Sequence, residues 1–230
     1  MPTTKDVGTK SASNDKIGGI PTIHYLNFLS RGRGQVVRLL FEDAGIAYVD
    51  VRYDSDEHYN QSKQSIIKKM NPTATMPVVE LNGRVLTQSY PMLRHFARQL
   101  NAYDGATDDE RYWADLVCDI ASDWRTLFVQ AFFSKEKDEY VRHCEGYRKD
   151  VLQALERHLS GNEFSRDGAF LLGERVTYAD FVLYQILHDE GLTKDGRKGL
   201  EEYPRLRKLV DAMEERENVK KFLQSDRYLG

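Results

Sequence analysis

The chain has 230 residues, of which 40% are hydrophobic, and a formal net charge of −3 from 33 lysines and arginines against 36 aspartates and glutamates. This length can bury a sizeable core in one domain or two. Because the basic residues are scattered among acidic ones, and no segment is apolar over a membrane-spanning length, the composition argues against nucleic acid and membrane as partners.

The beginning of the chain lacks the apolar centre of a secretion signal, since residues 1–20 are rich in lysine, serine and glycine. We predict a disordered extension over these residues and a cytoplasmic protein. The two cysteines, Cys118 and Cys144, form no CxxC motif. Without a histidine pair at ligand spacing, they predict buried thiols rather than a disulfide or a metal site.

Residues 21–100 have the pattern of a small α/β domain. The predicted elements are a strand at 20–27, a helix at 33–44, a strand at 47–53, a hairpin around Asn82-Gly83 and a helix at 88–100. Because a helix separates the first two strands, they should run parallel to each other.

The pattern changes after a linker at 101–107, because residues 108–230 show long helical periodicities and almost no strand signal. One predicted apolar stripe runs from Tyr112 to Ala131, and another from Cys144 to His158. The sequence therefore predicts an α/β domain followed by an all-helical domain.

Four motifs suggest a family. They are Arg31-Gly32-Arg33, Met76-Pro77-Val78-Val79, Gln88-Ser89 and the segment 173–180, in which Thr177 and Asp180 have the spacing of a helix capping box. In this order they resemble the cytosolic glutathione transferases over residues 21–230, most closely the sigma type and then alpha, mu and pi. The resemblance implies a thioredoxin-like fold for the α/β domain, and glutathione as co-substrate.

The resemblance also implies a set of glutathione contacts. A cis Met76-Pro77 bond would expose the Met76 backbone to the ligand, and the helix that begins at Ser89 would bind the γ-glutamyl carboxylate. The implied contacts are Arg33, Tyr59, Lys63, Thr75, Met76, Pro77, Gln88, Ser89 and Asp123, the last donated by the partner subunit of a homodimer. Lys68 and Lys69 remain alternatives to Lys63.

Three side chains are candidates for stabilising the glutathione thiolate. A free thiol has a pKa of about 8.5, so a transferase must favour the thiolate. The position at which the related classes have a tyrosine is Asn27, whose amide could donate to sulfur. Tyr25 lies two residues earlier and Ser30 three later; we rank Asn27 first, Tyr25 second and Ser30 third, with Arg33 adding positive charge.

An apolar pocket for the second substrate is expected to face the helical domain. From family position and helical spacing its candidates are Leu29, Tyr112, Arg125, Phe128, Val182, Gln185 and Ile186. An arginine beside such a pocket would favour anionic electrophiles, which makes Arg125 a hypothesis for selectivity.

The sequence thus predicts a glutathione S-transferase that conjugates the thiolate to soft hydrophobic electrophiles without a metal. Two alternatives remain. One is a glutathione-dependent isomerase or biosynthetic enzyme. The other is a non-catalytic ligand-binding, lens or scaffold protein of the same fold, which the asparagine at position 27 keeps open.

Overall fold

The computed structural model describes residues 2–54, 66–136 and 138–230. The chain divides into two compact units. Unit 1 comprises Met1–Ala102 together with Glu215–Gly230, and unit 2 comprises Tyr103–Glu214. The prediction that the helical domain extends over 108–230 is therefore wrong at its end, because the last sixteen residues pack with the sheet unit.

Unit 1 is built on one mixed sheet with the strand order β1-β3-β2-β4-β5. Its elements are β1 (Thr3–Val7), α1 (Ala12–Ile17), β2 (Thr22–Leu26), α2 (Gly32–Asp43), β3 (Tyr48–Tyr53), α3 (Lys68–Met70), β4 (Val78–Leu81), β5 (Arg84–Thr87), α4 (Ser89–Leu100) and α10 (Glu217–Leu223). As predicted, β2 and β3 are parallel, and β4 and β5 form an antiparallel hairpin. The thioredoxin-like fold class is confirmed.

The prediction that residues 1–20 are disordered is wrong. β1 pairs antiparallel with β3, from Thr3 opposite Arg52 to Val7 opposite Tyr48. α1 begins with a capping box at Ser11. The buried Asn14 side chain accepts the Ala47 N–H at 2.9 Å and donates to the Ala47 carbonyl at 2.8 Å. The segment thus covers an edge of the sheet that would otherwise be unpaired.

Unit 2 is helical, as predicted. Its elements are α5 (Asp108–Phe132), α6 (Glu139–Glu145), α7 (Tyr147–Gly161), α8 (Tyr178–Asp189), a 3-10 segment (Asp195–Leu200) and α9 (Pro204–Glu215), whose last residue belongs to unit 1. The capping box predicted at the start of α8 is present, because Asp180 accepts the Thr177 N–H at 2.7 Å. Within the described ranges, no helix is long and apolar enough to cross a membrane.

The buried face of α5 differs from the predicted stripe. Tyr112 is 68% exposed and Leu127 is 40% exposed, whereas Trp113, Val117 and Trp124 are buried. The apolar residues of this long helix lie on more than one face, so periodicity alone did not identify the core face. The second predicted stripe is interrupted, because α6 ends before Gly146 and α7 begins after it.

Candidate active site

The Arg-Gly-Arg motif forms the start of α2, directly over the side chain of Tyr25. Gly32 has φ = 76°, and a Cβ atom there would lie 2.5 Å from the Tyr25 hydroxyl. A Cβ at Gly34 would overlap the Tyr25 ring. Both glycines are therefore required for the first turn of the helix to approach the strand.

Tyr25 is the second-ranked candidate for the thiolate contact, and its hydroxyl lies at the amino end of α2. It accepts the backbone N–H of Arg33 at 3.1 Å. The tyrosine is 9% exposed, and the guanidinium carbon of Arg38 lies 5.7 Å from its ring centroid. The positive end of the α2 dipole and Arg38 both lie beside this side chain.

Asn27, the first-ranked candidate, lies just beyond the end of β2. Its N–H donates to the Tyr53 carbonyl at 2.7 Å, and its side-chain amide donates to Asp54 at 2.9 Å. The side chain is exposed. These contacts join the ends of β2 and β3, and the amide is engaged by a carboxylate rather than by the first turn of α2.

Ser30 and Leu29 form the return from β2 to α2. Leu29 has φ = 53°, in the left-handed region, and is 49% exposed. Ser30 is fully buried, and its hydroxyl accepts the Leu229 N–H at 2.9 Å. The third-ranked candidate therefore binds the C-terminal segment of unit 1.

The start of α4 has no side-chain cap. Gln88 precedes the helix with φ = 67° and is exposed, and Ser89 is buried. Among the described helices of eight residues or more, α2 and α4 begin with neither a hydrogen bond from the side chain of the N-cap residue nor an acidic residue in the first turn. α9 lacks both in its own sequence, but Glu156 accepts the N–H groups of its first turn.

The Met76–Pro77 peptide bond is cis, as predicted. The residues before it are held by Asn71, whose amide donates to the Thr75 carbonyl at 2.8 Å and to the Thr75 hydroxyl at 3.1 Å. Thr75 is exposed and Met76 is half-buried against the cluster that contains Val51.

The remaining predicted glutathione contacts are either exposed or outside the described residues. Tyr59 and Lys63 lie outside the described residues. Lys68 and Lys69 are exposed at α3. Asp123 is exposed on α5 in unit 2, where burial of Tyr147 and then the charge of Asp123 raise the pKa of that tyrosine.

The candidates for the electrophile pocket are mostly interior residues of unit 2. Val182 and Ile186 have 0% exposure. Arg125 forms a buried ion pair with Asp189 at 2.5 Å, and Gln185 donates to the same carboxylate at 2.8 Å. The hypothesis that Arg125 selects anionic substrates is therefore wrong for this conformation, because its carboxylate partner belongs to the protein.

Of the other two pocket candidates in unit 2, Phe128 is 7% exposed and packs against Phe132, with 5.5 Å between ring centroids. Tyr112 is largely exposed at the start of α5. Among the pocket candidates of unit 2, which all lie within the described residues, only Tyr112 is therefore accessible to a ligand, and Leu29 of unit 1 is exposed as well.

A side-chain network on the other face of the sheet was not predicted. His24 lies between the Tyr53 hydroxyl at 2.9 Å and the Glu80 carboxylate at 2.8 Å. Burial and the charge of Glu80 raise the pKa of Tyr53. The residues come from β2, β3 and β4, so only the register of the sheet brings them together. No group of metal-ligating side chains occurs in the described part of the chain.

Two protein-family models match the sequence of the chain. One, described as "Glutathione S-transferase, N-terminal domain", matches residues 21–98, and the other, "Glutathione S-transferase, C-terminal domain", matches residues 122–226. The chain belongs to the glutathione S-transferase family. Residues 2–20, which form β1 and α1, lie outside both matches.

Curated relatives agree over most of the chain. Glutathione S-transferase P 10 of Caenorhabditis elegans is 26% identical over 89% of this chain and 91% of its own. Glutathione S-transferase Mu 3 of Homo sapiens is 29% identical over 86% of each. S-crystallin 4 of Enteroctopus dofleini is also 29% identical, over 88% of this chain and 95% of its own.

Solved structures show the same fold at lower identity. The Pi-class glutathione S-transferase of Onchocerca volvulus matches with a TM-score of 0.76 and 21% identity, over 89% of this chain and 92% of its own. Prostaglandin synthase D of Nilaparvata lugens matches with a TM-score of 0.74 and 18% identity, over 90% and 98%.

Proposed function

We propose that the protein is a cytoplasmic, homodimeric transferase that binds glutathione on unit 1 and conjugates its thiolate to small soft electrophiles. The observation that carries the proposal is a pair of helix starts in unit 1 that have no N-cap side-chain bond and no acidic residue in the first turn, one of which donates the Arg33 N–H to the Tyr25 hydroxyl. Detoxification of electrophiles is the corresponding physiological role.

The start of α4 suits the carboxylate end of the ligand. The N–H groups of Ser89 and Tyr90 have no acceptor within the helix by position, and Pro91 has no N–H to satisfy. Since no acidic side chain occupies this first turn, the helix dipole favours an external anion there. Gln88 adds an exposed amide beside the same position.

The start of α2 suits the thiol end. A hydroxyl that accepts an N–H from the first turn of a helix is polarised toward donating its own proton, which favours an anionic sulfur. Arg33 is half-buried in the same turn and adds positive charge. We therefore place Tyr25 before Asn27 as the catalytic residue, because Asn27 donates to Asp54.

The other contacts retain the assignments that the family resemblance implies. Thr75, Met76 and Pro77 would flank the cysteinyl part of glutathione, and an acidic residue of a second subunit, Asp123, would reach the γ-glutamyl amine. The lysine that contacts glutathione would be Lys63, Lys68 or Lys69.

The test is a titration of the glutathione thiolate by ultraviolet difference spectroscopy, with Tyr25→Phe, Asn27→Ala and Tyr48→Phe compared with the wild type. Tyr48→Phe is the matched control, because its hydroxyl bonds Glu42 near the opposite end of α2 at 2.9 Å. We expect Tyr25→Phe to raise the pKa of the bound thiol by about one unit, equivalent to about 1.4 kcal/mol, and to lower kcat/KM toward 1-chloro-2,4-dinitrobenzene at least about tenfold.

Two outcomes would change the proposal. If Asn27→Ala produces the shift and Tyr25→Phe does not, the roles of the two residues are reversed. If glutathione binds with no lowering of its thiol pKa, the second candidate function is favoured, a ligand-binding or structural role. The residue at position 27 and a relative named S-crystallin support that candidate. Recovery of free glutathione after turnover would instead indicate an isomerase.

A further inference from the structure

Unit 1 contains a cavity that is formed largely by residues near the two ends of the described chain and that no residue at the start of α4 lines. Its volume is about 250 Å³. Its floor consists of three cross-strand pairs of β1 and β3, and residues of α10 and the C-terminal segment form a wall. The floor pairs are Thr3 with Arg52, Lys5 with Asp50, and Val7 with Tyr48.

The buried floor has an excess of positive charge. Asp50, whose side chain is 7% exposed, is shared by two arginines. Arg38 binds it through two nitrogens at 2.7–3.1 Å, and Arg52 binds it through Nε at 2.8 Å. One carboxylate therefore balances two guanidinium groups, so one positive charge of this cluster remains to be neutralised.

The other charged residues of the cavity are matched one to one. Lys5 pairs with Asp226 at 3.5 Å, and both side chains are more than half exposed. Arg227 pairs with Glu42, which also accepts the Tyr48 hydroxyl. These pairs add no net charge, so the excess remains that of Arg38 and Arg52.

Arg52 carries the positive charge of this cluster that a ligand could reach. Its Nη1 donates to the Leu29 carbonyl at 3.1 Å, and its Nη2 has no hydrogen-bond partner among the described residues. The side chain of Thr3, directly opposite on β1, supplies an exposed hydroxyl. An N–H donor and an O–H donor thus lie on neighbouring strands at one end of the cavity.

Apart from Asn27, whose side-chain amide donates to Asp54, the rest of the lining is apolar. Val7 and the Tyr48 ring belong to the floor, and Phe222 and Leu229 belong to the wall. We infer that this cavity binds a small monocarboxylate with a compact apolar body, with its carboxylate on Arg52 and Thr3. A volume of about 250 Å³ lies below the range of about 300–1,000 Å³ that is usual for ligand pockets, which limits the ligand to a small molecule.

No residue at the start of α4 lines the cavity, and of the candidates for the thiolate contact only Asn27, which the proposed function places after Tyr25, does so; benzoate binding can therefore be tested without glutathione. The test uses benzoate as the probe and benzamide as its uncharged match. Both are titrated into the full-length, isotope-labelled protein and followed by amide chemical shifts. We expect benzoate to perturb the amides of Val7, Tyr48 and Phe222, and to bind at least about tenfold more tightly than benzamide, the ratio expected from one charge-assisted pair.

Two variants connect this binding to the named residues. Arg52→Met keeps an unbranched side chain, and Asp50 retains its bonds to Arg38, so the sheet should persist. It should weaken benzoate binding at least about tenfold. Thr3→Val changes only an exposed hydroxyl and should weaken it about threefold or more. Arg157→Met on α7 in unit 2 is the matched control and should leave it unchanged.

Any of three results would overturn the inference. The first is equal affinity for benzoate and benzamide, and the second is full benzoate affinity in both Arg52→Met and Thr3→Val. The third is a set of shifts that excludes this cavity, including shifts confined to Ser89 and its neighbours. If Arg52→Met is unfolded, the result with Thr3→Val decides.

Discussion

Gln35 lies in the first turns of α2 with 1% exposure, and neither atom of its amide has a hydrogen-bond partner among the described residues. A buried amide without partners has lost its bonds to water with no replacement, which costs free energy of folding. The residue is therefore a local weakness in the helix that carries the Arg-Gly-Arg turn.

Replacing this glutamine by methionine should stabilise the protein. Gln35→Met has similar volume and helix propensity, and it removes the unsatisfied polar atoms. We expect the free energy of unfolding to rise by about 1–2 kcal/mol. Chemical denaturation measures it, with the exposed helical Gln153→Met as the control, expected within about 0.5 kcal/mol of wild type. A loss of stability in Gln35→Met would contradict this account.

The turn at Leu29 explains why Tyr25 takes the place of Asn27 as the first candidate for the thiolate contact. Tyr25 was ranked second because it lies two residues, about 6.5 Å, before the expected position along a strand. That distance does not apply here, because the chain turns back at Leu29 and brings α2 over Tyr25. A left-handed leucine has no sequence signature, whereas the glycines at 32 and 34 were visible as a motif.

Among the single elements, α5 begins with a group of charged side chains whose contribution to the stability of the fold should depend on pH. Burial alone would raise the pKa of the Glu110 carboxyl. The backbone N–H groups of Ala106 and Thr107 and the guanidinium of Arg175 outweigh this effect and lower the pKa from its ordinary value. The ionised form is therefore the form that stabilises the folded state.

A neutral substitute should remove this stabilisation. At pH 7 we expect Glu110→Gln to lower the free energy of unfolding by about 1 kcal/mol. The contribution is fully present above the ordinary pKa of a glutamate and is lost as the pH falls through the lower folded value. The difference between variant and wild type should thus shrink below about pH 4.5. Urea denaturation at several pH values tests it, and a difference independent of pH would argue against the mechanism. The exposed Glu163→Gln is the control.

Elements with strong local signals were predicted correctly, and elements that depend on distant contacts were not. The Asn82-Gly83 turn and the capping box at Thr177 are specified by adjacent residues. β1 has a polar sequence in which only Val7 is buried, and it is a strand because β3 offers an edge. The buried pair of Arg125 with Asp189 joins two helices far apart in sequence, so no local pattern predicted it.

For the whole molecule, the N-terminal segment is expected to be a structural part of unit 1. Besides the β1 pairing, Ser11 and Ser13 donate to the carbonyls of Gly45 and Ala44 at 2.6 Å, just after α2. Without the segment, β3 would become an exposed edge strand. Removing the segment should therefore lower the stability of the protein and promote its self-association.

Deleting residues 2–20 should lower the midpoint of urea denaturation and promote self-association through the edge of β3. Size-exclusion chromatography over a range of concentrations measures the association. If the deletion does not fold, Asn14→Ala provides the second test. It leaves the Ala47 N–H and carbonyl without their buried partner and should cost about 2–3 kcal/mol. A stability equal to wild type in Asn14→Ala would contradict a structural role for the segment.

The pairing of Lys5 with Asp226 places the two ends of the chain side by side in unit 1. A short linker could therefore join them, and the chain could be opened between Ala102 and Tyr103, where the two units divide. In such a circular permutant the segment 215–230 would run directly into residues 1–102. The sheet unit, which is interrupted in the native order by more than a hundred residues of unit 2, would become one continuous sequence that could be expressed and studied alone.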